Sequence, residues 1–99
     1  MGKHSDAALA LLLANLGFYN TAVPDDLKIY LEQLLDYAYD AFYEMGIALF
    51  PGDLSDDMDQ MTYAAWLYRN GTTGAGKTQQ LRDIIRNRQV LLAMGEADA

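Results

Sequence analysis

The sequence predicts an all-α fold: a compact bundle of about four helices with one long central helix, in a single domain that spans residues 1–99. Apolar residues recur three and four positions apart in four separate segments, which is the pattern of a helix with one buried side. Capping residues and glycine stops separate these segments. The one alternating run, residues 37–42, lies inside a stronger helical period, so no strand is predicted.

The first helix is predicted to begin after Ser5, whose hydroxyl can accept a hydrogen bond from a free amide of the first turn. Asp6 follows at the positive end of the helix dipole, and Gly17 is a natural stop. Residues 1–4 are expected to be frayed, with His4 as a solvated side chain. The apolar side is formed by four leucines: Leu9, Leu12, Leu13 and Leu16.

The second helix is the long one, predicted to run from Pro24 to a stop at Gly46. Proline fits the first turn of a helix, and Asp25 and Asp26 complement the dipole there. The apolar stripe consists of Leu27, Leu31, Leu34, Ala38, Ala41 and Met45, widened by Tyr30, Leu35 and Phe42. The opposite side carries the charged residues Lys28, Glu32, Asp36, Asp40 and Glu44.

A loop over residues 47–54 follows, because Pro51 and the glycine after it favour a turn. Its apolar residues are expected to pack against the core: Ile47, Leu49 and Phe50. Ser55 is the predicted cap of the third helix, which ends at Asn70 and Gly71. Three acids lie in the first turn, where they complement the helix dipole: Asp56, Asp57 and Asp59.

The fourth helix is predicted to begin after its cap Thr78, and an acidic tail, frayed from Gly95 to residue 99, ends the chain. The side expected to face the core consists of Leu81, Ile84, Ile85, Leu91 and Leu92. The side expected to face solvent carries Arg82, Arg86 and Arg88.

Charge is distributed unevenly along the chain, whose net charge is −7. Residues 1–68 hold eleven acids against Lys3 and Lys28, a local charge of −9, whereas residues 69–88 hold five basic residues against Asp83 alone, a local charge of +4. This distribution favours head-to-tail contact between copies, with ordinary scatter of surface charge as an equal alternative. It argues against a general nucleic-acid binder, which needs a broad basic surface.

The chain has no cysteine, which excludes disulfides, thiolate metal sites and cysteine nucleophiles. The longest apolar run, residues 7–14, is too short to cross a bilayer, so no membrane partner is expected. His4 is the only histidine, and no catalytic, metal or cofactor site can be built around it. The acids at the start of the third helix lack the central glycine and final glutamate of a calcium loop.

The loop between the last two helices fits the phosphate-binding pattern G-x-x-x-x-G-K-[ST]. Its residues of matching type are Gly71, Gly74, Gly76, Lys77 and Thr78. A true phosphate-binding loop follows a buried strand and needs a second strand with a magnesium-holding aspartate, and neither is predicted here. We therefore interpret the loop as a flexible connector that contacts a partner through Lys77. Phosphate or nucleotide binding is an alternative hypothesis.

A small helical DNA-binding regulator is a further alternative, with residues 79–90 as the recognition helix. The eight-residue loop before this helix is longer than the three or four residues of a usual helix-turn-helix. For the tyrosines, a place at the edge of the core and a place in a subunit interface are equally compatible with composition. The interface candidates are Tyr37, Tyr43, Trp66, Arg82 and Arg86.

In the segment Pro24–Tyr43, Asp-Asp-Leu follows the proline. Apolar positions and a recurring Ala/Tyr side come after it. Met61–Asn70 ends in Tyr-Arg-Asn and is followed, after a loop, by Leu81–Val90. These stretches resemble the long helix and the closing part of small head–tail connector (head completion) proteins of tailed bacteriophages.

The resemblance implies a non-enzymatic structural adaptor that forms an oligomeric ring and joins the portal of the head to the tail. It implies copies of the same chain, the portal, and other connector or tail proteins as partners, with transient contact to the packaged DNA. The expected location is the virion, after assembly in the host cytoplasm.

Overall fold

The computed structural model describes residues 2–18, 22–70 and 76–98, with side chains described as far as residue 94. The regular structure in this part of the chain consists of four helices: α1 (Asp6–Asn15), α2 (Asp25–Glu44), α3 (Leu54–Asn70) and α4 (Gln79–Asp98). The predicted all-α bundle of about four helices is therefore confirmed. None of the helices in the described residues combines the length and apolarity needed to cross a membrane.

The expectation of one long central helix is not confirmed. Helices α2 and α4 have 20 residues each, and the helix with the main contacts to both α1 and α2 is α3, which also packs against α4. The physical reason lies in side-chain size and charge. Ala64 and Ala65 are buried on α3 and leave room for neighbouring helices to approach, whereas the acidic side of α2 keeps that helix at the surface.

Two apolar clusters form the core. The first core cluster joins α1, α2 and α3 through Ala8, Leu9, Leu12, Leu31, Leu35, Met61, Ala64 and Ala65. The second core cluster joins α2, α3, the loop after α2 and the start of α4 through Ala38, Phe42, Ile47, Leu49, Tyr63 and Leu81. The apolar sides predicted for α1 and α2 thus face the core, except for Tyr30, whose side chain is 44% exposed. In the loop, Ile47 and Leu49 are buried as expected, but the prediction for Phe50 is wrong because its side chain is 70% exposed.

Two of the three predicted helix caps are confirmed. The Ser5 hydroxyl accepts a hydrogen bond from the Ala8 amide at 3.0 Å, and the Thr78 hydroxyl accepts one from the Leu81 amide at 3.2 Å. The cap predicted for α3 is wrong, because Asp53 rather than Ser55 accepts from the Asp56 amide. Both residue types cap helices well. The tight turn at Pro51 and Gly52 decides between them, because the helix begins directly after this turn and Asp53 is the residue just before its first position.

The chain start differs from the frayed segment that was predicted for residues 1–4. The Lys3 ammonium pairs with Asp40 at 2.9 Å, and the Nδ1 atom of His4 lies 2.7 Å from the Asp36 carboxylate. The Gln60 side-chain amide donates to the Lys3 carbonyl at 2.9 Å. The acids of α2 therefore hold the described part of this segment in place. At the other end, α4 continues to Asp98, beyond the helix end that was predicted at Gly95.

Candidate interaction surface

The side of α2 that faces away from the core combines aromatic and acidic residues. With 3.6 residues per turn, it lies opposite the buried residues Leu31, Leu35, Ala38 and Phe42. We call it the α2 outer face, and its exposed residues are Asp25, Asp26, Ile29, Gln33, Tyr37, Asp40, Tyr43 and Glu44. A surface of this composition suits a polar–aromatic contact with another protein.

The two tyrosines predicted as interface candidates both lie on the α2 outer face. Tyr37 is 60% exposed and Tyr43 is 66% exposed, so neither belongs to the core. Tyr63 is the opposite case, because it is buried in the second core cluster and burial raises the pKa of its phenol above the ordinary value. The structure thus separates tyrosines that the sequence left equivalent, while the interface role of Tyr37 and Tyr43 stays a prediction.

The two arginines among the interface candidates lie on the solvent side of α4. Arg82 donates to the Gln79 side-chain oxygen at 3.1 Å, and Arg86 pairs with Asp83 of the preceding turn at 3.0 Å. Both contacts are exposed and intrahelical, and such pairs stabilise a helix by only a few tenths of a kcal/mol, roughly 0.2–0.5. Both guanidinium groups are therefore accessible to a partner.

Arg88 does not face solvent as was predicted. Its Nη2 atom donates to Asp56 and its Nε atom donates to Asp59, each at 2.5 Å, and the side chain is only 20% exposed. Burial by itself would lower the pKa of the guanidinium, but the hydrogen bonds to Asp59 and Asp56 outweigh it and raise that pKa. Arg88 is thus a clamp between the middle of α4 and the start of α3.

The acids at the start of α3 do more than complement the helix dipole. Asp56 also accepts from the Phe50 amide at 2.9 Å, and Asp57 accepts from the Ser5 hydroxyl at 2.8 Å and from the Gly52 amide at 3.1 Å. Together with the hydrogen bonds from Arg88, these bonds join the start of α3 to the start of α1, the turn before α3 and the middle of α4. The sequence indicates that acids begin α3, but it does not indicate their hydrogen-bond partners, which lie up to 52 residues away along the chain.

Replacing Asp57 by alanine should lower the free energy of unfolding by about 1–3 kcal/mol. The substitution leaves the Ser5 hydroxyl and the Gly52 amide without their acceptor in a site where Asp57 is 1% exposed. Asp6→Ala, which removes an exposed acid from the first turn of α1, is the matched control and should cost about 0.3–1 kcal/mol. Urea unfolding measures both, and equal losses would show that Asp57 acts only on the helix dipole.

The C-terminal part of α4 exposes a continuous apolar segment, residues 90–94, which we call the α4 overhang. Val90 is 51% exposed, Leu91 66%, Leu92 43% and Met94 57%. Leu91 and Leu92 were predicted to face the core, and this prediction is wrong. Leu92 lies on the same side of the helix as buried Leu81, but α4 extends beyond the elements that would cover this side.

A shallow crevice lies at the base of the α4 overhang. It has a volume of about 210 Å³ and is lined by Ile47, Ala48, Arg88, Leu91 and Leu92. A second one, of about 290 Å³, is lined by Met45, Gly46, Gln89, Leu92 and Ala93. The apolar surface of the overhang therefore continues onto the loop that follows α2.

Trp66 was predicted as an interface anchor, but it is a partly buried residue at the edge of the second core cluster. Its ring packs edge-on against that of Tyr63, with ring centres 5.5 Å apart. The Lys77 ammonium lies 5.5 Å from the centre of the indole. Its Nε1 atom is buried without a hydrogen-bond partner among the described residues. Trp66 therefore has little free surface to offer a partner while Lys77 covers it.

The described part of the Gly71–Thr78 loop does not resemble a phosphate site. The element before it is helix α3 instead of a strand, and no strand occurs in the described residues. The Thr78 hydroxyl caps α4, and Lys77 lies over Trp66. Gly76 is exposed, whereas Gly71 and Gly74 lie outside the described residues. Within those residues, no three His, Cys, Asp or Glu side chains converge as metal ligands.

The described surface gives limited support to the DNA-binding alternative. Arg82, Arg86 and Asn87 are exposed on α4, as a recognition helix would require, but Arg88 is turned inward and paired. The α2 outer face is acidic, which opposes binding to a polyanion.

In comparisons with known proteins, the chain matches no family model, no curated protein and no solved structure.

Proposed function

We propose that the protein is a structural adaptor that assembles from copies of itself. The observation that carries the proposal is the α4 overhang, in which five consecutive apolar residues lie exposed at the end of a helix. Runs of this kind are costly in water and are found where a partner covers them. The α2 outer face adds exposed aromatic residues on a second element, as an assembling subunit needs.

The more specific proposal is a ring in a tailed bacteriophage that joins the portal of the head to the tail, and thus a component of the virion. It rests on the resemblance of Pro24–Tyr43, Met61–Asn70 and Leu81–Val90 to head–tail connector proteins. Each of these stretches corresponds to a helix: the first to α2, the second to the end of α3 and the third to α4. The net charge of −7 suits a ring through which DNA passes without binding.

In this proposal the protein catalyses no reaction and needs no cofactor. Its work is mechanical: it presents one surface to neighbouring copies and another to the portal or to tail proteins. The loop that carries Lys77 is a candidate for the second role, because its ammonium lies over the ring of Trp66, and a contact of this kind, worth about 0.5–2 kcal/mol, can be exchanged for one with a partner.

Size-exclusion chromatography with multi-angle light scattering, followed by electron microscopy, tests the proposed self-association. We expect a species of several copies that grows with protein concentration and appears as closed rings of uniform diameter. A chain that stays monomeric at high concentration would contradict the proposal. The phage assignment has a separate test, since genes for portal and tail proteins should lie beside the gene for this chain.

A further inference from the structure

The α4 overhang has apolar side chains on all its sides. Successive residues of an α-helix point about 100° apart, so Val90, Leu91 and Leu92 face three different directions. Each is at least 43% exposed, as is Met94. A helix that is apolar all round is normally enclosed by other elements, whereas a surface helix has one polar side. The overhang therefore has the character of a segment that is taken up by a partner.

The charges next to the overhang indicate the chemistry of that partner. Arg82 and Arg86 lie two turns and one turn before Val90 on the same side of α4, because positions four residues apart are neighbours on a helix. Both arginines are exposed, and their contacts within the described part of the chain are intrahelical. A receiving surface should thus be acidic beside the arginines and apolar beside Val90.

The α2 outer face has this composition. Ile29, Tyr37 and Tyr43 supply exposed apolar area, and Asp26 and Glu44 supply exposed carboxylates on the same side of the helix. Tyr37 is two turns before Glu44, so the aromatic and acidic groups form one stripe. Lys3 already pairs with Asp40, which leaves the acids near the two ends of α2 for another contact.

Within one copy these two surfaces do not cover each other. Leu92 lines a crevice with Met45, just beyond the end of α2, while Tyr37 and Tyr43 remain mostly exposed. Contact between the overhang and the α2 outer face therefore requires a second copy of the chain.

We infer that the α4 overhang of one copy, with Arg82 and Arg86, docks on the α2 outer face of the next copy. The inference rests on the proposed self-association and specifies its two surfaces. Because the surfaces differ, each copy offers one and receives the other. Such head-to-tail contacts close into a ring when the rotation between copies permits.

A reciprocal charge exchange in the full-length protein tests the pairing. The double variant Arg82→Glu/Arg86→Glu makes the side of α4 next to the overhang acidic. The double variant Asp26→Lys/Glu44→Lys makes the α2 outer face basic. We expect each double variant alone to self-associate at least about tenfold more weakly, since like charges then meet across the contact. An equimolar mixture of the two should regain assembly, because every contact in an alternating assembly again joins opposite charges.

The apolar part of the contact has its own variant, Leu91→Asp with Leu92→Asp, which should also abolish assembly. Leu91 is 66% exposed and Leu92 is 43% exposed, and neither belongs to a core cluster, so the fold should persist, with unchanged helical circular dichroism and Trp66 fluorescence. Lys28→Glu and Asp6→Lys change exposed charges outside the two surfaces, and these control variants should assemble like the wild type.

The outcomes separate this inference from the proposed function. If the wild type assembles and the variants on both surfaces assemble equally well, the pairing is wrong and the self-association stands. If each charge variant dissociates but their mixture does not recover, the two surfaces do not contact each other and the inference also fails. A wild type that is monomeric at every concentration overturns both.

Discussion

The Phe42→Ala variant is expected to lose about 3–5 kcal/mol of unfolding free energy, the cost of removing a buried phenylalanine and leaving a cavity. Phe42 is fully buried in the second core cluster and packs edge-on against Tyr63 with ring centres 5.5 Å apart. Ile47, from the loop after α2, belongs to the same cluster. Since domains of this size are stable by only about 5–15 kcal/mol, the variant should be close to unfolding at room temperature.

Urea unfolding followed by the fluorescence of Trp66 measures this loss, because Trp66 is the single tryptophan and contacts Tyr63 of the same cluster. Phe50→Ala is the matched control, in the loop after α2 and outside both proposed docking surfaces, where the aromatic ring is 70% exposed. This control should change the free energy of unfolding by no more than about 0.5 kcal/mol. Equal losses in the two variants would mean that the second core cluster does not hold α2 in place.

The second large effect is expected for Arg88→Ala, which should lower the free energy of unfolding by about 2–4 kcal/mol. Removing one partner of a buried ion pair typically costs about 3–5 kcal/mol, because the remaining charge is left without compensation. Here the arginine is 20% exposed, so water can partly solvate the carboxylates of Asp56 and Asp59 and the expected loss is smaller. Lys28→Ala is the control, since Lys28 is exposed and lies outside both proposed docking surfaces.

Hydrogen exchange of the backbone amides shows which part of the Arg88→Ala variant is locally less stable. Arg88 lies two residues before the α4 overhang and connects the middle of α4 to α3. Amides from residue 85 onward should exchange faster in Arg88→Ala, while those of α1 and α2 should change little. Faster exchange spread evenly over all four helices would show that the clamp supports the whole bundle instead of α4 alone.

A double-mutant cycle with Asp59→Ala isolates the ion pair. Among the described residues, the side chain of Asp59 accepts from Arg88 alone, whereas that of Asp56 also accepts from the Phe50 amide. The double variant should lose less unfolding free energy than the two single variants do in sum. The difference, which is the coupling energy of the pair, should be about 1–3 kcal/mol. Additive losses would show that Arg88 stabilises the protein through packing of its stem. Because the clamp orients the overhang, Arg88→Ala should also weaken self-association.

The helices themselves follow from local signals in the sequence. The leucine spacing of α1, the amphipathic pattern of α2 and the caps at Ser5 and Thr78 each involve residues within a few positions of one another. Such interactions are present in any conformation that forms the helix, which is why they are visible without the fold. Where two local signals compete, as with Asp53 and Ser55 at the start of α3, the choice depends on the turn that precedes them.

The candidate surface was predictable in part. Tyr37, Tyr43, Arg82 and Arg86 lie in exposed positions, as expected for interface candidates. Periodicity placed Leu91 and Leu92 among the residues of α4 that face the core, and both are exposed instead. Periodicity does not show whether a neighbouring element covers the side, and here none of the described elements does so fully.

By itself, the sequence determined the helical class, the number of helices, most of their ends and the sides that each turns inward, because these depend on contacts within one or two turns. Only the tertiary structure decided that α3 is central, that Arg88 turns inward and that the α4 overhang lies uncovered. Arg88 shares a side of α4 with Leu81, and a charge can occupy that side only because two carboxylates about 30 residues earlier meet it there. Long-range proximity of this kind exists only once the helices have packed.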